Sequence, residues 1–156
     1  MSTQRPLADD LGFLLSRASG VVARSVSEAL APLDLRVRSY SVLTFACEET
    51  AGMTQRRLAA IMALDPSQIV ALVDELQSRG LVHRTPDPAD RRNKIISATD
   101  VGHRVAQDAQ QRIDRAYNGH FDHVPPERLD ELRLLLREIA FSDTSSGEPQ
   151  AQARDA

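Results

Sequence analysis

The stretch PDPADRRNK, from Pro86 to Lys94, gathers opposed charges densely: Asp87 and Asp90 stand beside Arg91, Arg92 and Lys94. Carboxylates next to planar guanidinium groups in a proline-punctuated turn are equipped to hold cations for an anionic partner, not to make or break bonds unaided. Other reactive types are sparse. His83 and His103 have no Ser, Cys or carboxylate placed with them as a nucleophile–base arrangement, and no glycine-rich phosphate loop occurs. An enzyme is therefore not the expectation. Cys47 lies in the apolar stretch YSVLTFACEE without a basic neighbour to stabilise a thiolate, and reads as a buried inert thiol. His120 and His123, with Asp122 between them, lack a third compelling metal ligand and read as solvated loop histidines. Neither a metal nor a cofactor is expected.

Charge and composition narrow the partner. The chain of 156 residues carries a net charge of −3, yet residues 54–94 hold seven basic groups against five acids, while the chain from residue 95 onward is acidic on balance. A locally basic middle on an acidic chain can grip an anion. Apolar residues make up 42% and aromatics 4% with no Trp, so aliphatic side chains must fill the core. No apolar run approaches the roughly 20 residues that span a bilayer, and the N-terminus lacks the layout of a signal peptide. The expected location is the cytoplasm, with no membrane partner.

The elements that position the charged turn follow from periodicity. Leu11, Leu14, Leu15, Ala18, Val21, Val22, Val26 and Leu30 recur at helical spacing, and a second helix is expected from about Arg36 to Glu48. Thr54 is placed to cap a short helix, QRRLAAIMA. Asp65 caps the next one, Pro66 takes its first position and Gly80 stops it. Ile69, Leu72, Val73 and Leu76 form the inner face of that helix, and Ser67, Gln68, Ala71, Asp74 and Glu75 its outer one. LVHRT and NKIISA read as two short strands joined by the charged turn. Thr99 and Gly102 open a further helix carrying Val105, Ala109, Ile113 and Ala116 inward. A last helix carries Leu129, Leu132, Leu135, Leu136 and Ile139 on one side, and the tail is low in apolar residues. The expected class is mainly α with a small β-hairpin. The expected organisation is an N-terminal helix (1–35), a region of short helices and the hairpin (36–98), C-terminal helices (99–142) and a disordered tail (143–156).

Two short helices joined by a tight turn, then a hairpin, form a winged helix-turn-helix pattern. The major groove admits one helix, so the outer face of residues 66–76 is the reading surface, and the wing lies over the neighbouring minor groove. The run VDELQSRGLVHRTPDPADRRNKIISATDVG closely resembles the MarR family of winged helix-turn-helix regulators, and the likeness covers about residues 7–141. The resemblance implies a mostly helical homodimer whose terminal helices intertwine. It implies binding to palindromic operator DNA, usually as a repressor, often released by a small-molecule effector. It also implies that Asp90 orients Arg92 for the minor groove, with Arg91 and Lys94 facing phosphates.

Two family positions often held by a hydroxyl and an arginine are Val70 and Ala71 here. Both can meet a thymine methyl but neither reads guanine, which leaves Ser67 and Gln68 as polar readers and favours A·T-leaning half-sites. Arg56 and Thr54 are candidates for phosphate contacts. Arg57 either joins them or bridges to Glu49 or to an acid on a neighbouring helix. Arg84 either packs structurally or reaches the DNA backbone. Arg17, Arg38 and Tyr40 are placed to line an effector cleft. The competing reading is a winged-helix protein-interaction module that binds no DNA; loss of the wing arginines would favour it, and they are present.

Overall fold

The computed structural model describes residues 6–49 and 51–141. The chain divides into two compact units, the first running through His120 and the second from Phe121. The first contains α1 (Leu11–Leu30), α2 (Val37–Glu48), β1 (Met53–Thr54), α3 (Gln55–Met62), α4 (Pro66–Ser78), β2 (Val82–Pro86), β3 (Lys94–Ala98) and nearly all of α5 (Asp100–Phe121). The second contains α6 (Pro126–Phe141). The expected disordered tail lies outside the described residues.

The helix-turn-helix is set by local chemistry. The Thr54 hydroxyl accepts from the Arg57 amide at 3.2 Å and starts α3. Ala63, at φ 49°, ends it in the left-handed region and turns the chain toward Asp65. Gly80, at φ 68°, terminates α4: its amide donates to the Gln77 carbonyl and the Leu81 amide reaches back to that of Leu76. That reversal needs a residue without a Cβ penalty.

Aliphatic side chains from every layer of the first unit meet in one core. Leu30, Leu43, Leu58, Ile69, Val73, Leu76 and Ile96 are fully buried, and Ala106, Ala109 and Ile113 bring α5 into the same cluster. Truncating one of these leucines to Ala costs about 2–5 kcal/mol. The N-terminal helix is therefore more than a separate dimerisation element, since Val26 and Leu30 of α1 belong to this core.

The sheet contains the expected hairpin of β2 and β3 and adds a strand to it. It has three strands in the order β1-β3-β2, not the two of a simple hairpin. Met53 pairs with Ile96, and Arg84 pairs with Ile96 from the other side. A two-residue strand carries no readable alternation, but burying Met53 against β3 supplies ladder partners that the hairpin alone would leave at an open edge.

A knot of hydrogen bonds ties the end of the sheet to the helices. The Thr99 hydroxyl donates to the Gly80 carbonyl at 2.6 Å and accepts from the Gly102 amide at 3.0 Å. Gly102 lies against the Leu81 carbonyl so closely that a Cβ there would overlap it. The Thr and Gly expected to open α5 thus also fix where α4 ends and where β3 returns.

Candidate nucleic-acid interface

Of the expected reading face, Ser67, Gln68, Val70, Ala71 and Asp74 are exposed along α4, while Glu75 is half-buried. Val70 is 43% exposed, so its side chain is free to meet a partner there. Gln68 also serves its own helix, since its Oε1 accepts from the Asp65 amide at 3.2 Å and completes the helix start. Its side-chain NH2 remains available, whereas a bidentate contact to adenine requires that capping bond to open.

Cations flank α4 on two sides. Arg56 shares an open groove of about 440 Å³ with Ala59, Leu64, Pro66 and Val70. On the other side a cavity of about 1040 Å³ is lined by Arg36, Arg38, Gln68, Ala71 and Arg79. Arg36 pairs with Glu75 at 3.2 Å, and Arg79 donates to the Asp34 and Leu33 carbonyls at 2.6 and 2.8 Å. Arg56 and Arg38 are exposed and make no ion pair among the described residues. Arg57 takes the structural alternative, 3.1 Å from Glu49.

The wing tip corrects the expected role of Asp90. Its carboxylate accepts from the Arg92 backbone amide at 3.0 Å and from the Asn93 side chain at 3.4 Å, and it makes no ion pair with the Arg92 guanidinium. The reason is reach: a short carboxylate two residues back in a turn meets the main chain first. Asp87 does the same for Ala89 at 2.9 Å, and the Asp87 amide donates to the Asn93 carbonyl at 3.1 Å, closing the loop. Arg91, Arg92 and Lys94 are left exposed on a braced turn. Arg84, in contrast, turns back onto α4, pairing with Asp74 at 2.6 Å and donating to Gln77 Oε1 at 3.0 Å.

Comparison with known proteins agrees with this architecture. The model of the MarR family matches residues 33–93. A transcriptional regulator (MarR family) from Rhodococcus sp. RHA1 is 53% identical, covering 89% of this chain and 98% of its own, with a TM-score of 0.85. The chain belongs to the MarR family. It is a DNA-binding transcriptional regulator. CouR from Rhodococcus jostii RHA1, solved bound to p-coumaroyl-CoA, is 54% identical over 88% of this chain and 96% of its own, at a TM-score of 0.83. A CouR repressor bound to a 23-mer DNA duplex is 29% identical over 86% of this chain and 94% of its own, at 0.77.

Within this MarR-family fold, the three residues expected to line an effector cleft are dispersed. Arg38 lines the cavity beside α4. Arg17 lies on a groove of about 550 Å³ along α1, with Phe13, Arg24, Ser25 and His120. The Tyr40 hydroxyl donates to Gln110 Oε1 at 2.6 Å between α2 and α5, and burial pushes its phenol pKa up. Cys47 is half-buried, not fully buried as expected, and burial likewise pushes its thiol pKa up. Arg36 was not among the candidates. The Arg-x-Arg spacing at the start of α2 is its only sequence signal, and its nearness to Gln68 and Ala71 arises from folding.

Proposed function

We propose that the protein is a homodimeric, cytoplasmic repressor without enzymatic activity, which binds a palindromic operator and is released by an aryl-CoA thioester. The observation that carries this reading is the placement of α4 between two sets of cations, Arg56 on one side and Arg36 with Arg38 on the other. Such an arrangement lets phosphates on both sides of the major groove fix the register while α4 reads between them. Ser67 and Gln68 read base edges, Val70 and Ala71 meet thymine methyls, Thr54, Arg56, Arg91 and Lys94 meet phosphates, and Arg92 enters the minor groove. The terminal helices, α1 with α5 and α6, hold the dimer, whose half-sites lie about 10 base pairs apart.

The effector class rests on the likeness to CouR solved with p-coumaroyl-CoA. A CoA thioester joins an apolar acyl group to several phosphates. The cavity beside α4 offers a polyanion Arg38 directly, and Arg36 once its pair with Glu75 opens, on the face that DNA would use. A ligand seated there displaces DNA by competing for the same cations and by placing negative charge against the phosphates.

Selection of binding sites from random duplexes, followed by mobility shift, tests the reading. An A·T-leaning palindrome should be enriched, Arg92→Ala should weaken its binding by roughly 10–100-fold, and p-coumaroyl-CoA should release the complex. If no sequence is enriched, operator recognition is wrong. If the complex survives saturating thioester, the effector class is wrong while repression stands.

A further inference from the structure

We infer that Arg84 is a positioning residue for DNA recognition, locking the wing to the reading helix rather than touching DNA. Its guanidinium meets three groups of α4. One nitrogen lies 2.6 Å from the Asp74 carboxylate and also donates to the Val70 carbonyl at 3.3 Å; the other donates to Gln77 Oε1 at 3.0 Å. Val70, Asp74 and Gln77 stand at spacings of four and three, so one planar fork spans nearly two turns along a single side of the helix. The Arg84 side chain is only 20% exposed, whereas that of its partner Asp74 is 60% exposed.

Its position in the sheet makes this contact mechanical. Arg84 is the middle residue of β2, directly opposite Ile96 on β3, so both side chains leave the sheet on the face that packs against the helices. Pro86, two residues on, is where β2 gives way to the wing tip. A fork fixed at the base of the wing sets the angle between the tip and α4, and DNA must meet both at once, Arg92 in one groove and α4 in the next. Holding that angle beforehand removes an ordering cost from binding. The same pair neutralises Asp74, an exposed carboxylate on the reading helix that would otherwise repel the phosphates. Asp74 therefore belongs to the clamp and is no base reader.

The inference rests on the DNA-binding reading, and a double-mutant cycle separates the two. Arg84→Gln, Asp74→Asn and their combination are compared with wild type on the selected operator duplex and on a scrambled one, with thermal unfolding as a control for the fold. Each single change should lower operator affinity roughly tenfold, and scrambled-duplex affinity less. The double variant, which keeps the net charge, should bind no worse than the weaker single and show the wild-type salt slope. A double-variant slope reduced by about 0.9, the mark of one lost phosphate contact, together with unimpaired Asp74→Asn, would overturn the clamp in favour of direct contact. Unchanged affinity in every variant would overturn it too. A wild-type protein that distinguishes no duplex sinks the DNA reading itself, and the clamp with it.

Discussion

Asp90 gives its carboxylate to main-chain donors, so what it contributes to the wing is shape. Asn at this position can accept the same amide hydrogen bond. Asp90→Asn should therefore keep operator affinity within about threefold, whereas Asp90→Ala should lose roughly tenfold, the turn no longer holding Arg92 in one direction. Affinities from mobility shift or anisotropy decide this. A large loss on Asp90→Asn would restore the ion-pair role that the family resemblance implies. The residue types of the wing were legible from their order alone; the partner of each carboxylate was not. Both Asp90 and Arg84 carry ordinary charges in the sequence, and only the folded chain shows one bracing a turn and the other reaching back to Asp74.

Among the elements, α3 and α4 were legible almost to the residue, because Thr54, Asp65, Pro66 and Gly80 act over one turn of chain. The link between them, ALDP, holds a feature that residue types do not announce. Ala63 sits at φ 49°, where an L side chain costs about 1–2 kcal/mol. It is exposed, so glycine fits without leaving a cavity. Ala63→Gly should stabilise the protein by about 0.5–1 kcal/mol, after the larger backbone entropy lost by glycine is counted. Urea unfolding measures it, and a lower midpoint would mean that the turn is not strained. The strand β1 was missed for the opposite reason. Two residues have no periodicity, and Met53 is a strand residue only because β3 lies beside it.

For the whole molecule, much apolar surface is left uncovered in one chain. Leu132, Leu134, Leu135 and Leu136 of α6 are exposed, as are Leu7, Leu11, Leu14 and Val21 toward the N-terminus. A second copy of the chain, as proposed above, accounts for that surface. Leu135→Glu should shift sedimentation from dimer toward monomer and weaken operator binding in step, since two half-sites are held only by two linked reading helices. A dimer of undiminished stability would remove α6 from the interface. Hydrophobic spacing, caps and turn residues are local properties, so the sequence by itself determined the helices, the hairpin and the family they compose. Which cations flank α4 and which carboxylate Arg84 pairs with depend on residues that only folding brings together. Those pairings the tertiary structure decided, because short-range electrostatics act only between groups that packing has first brought together.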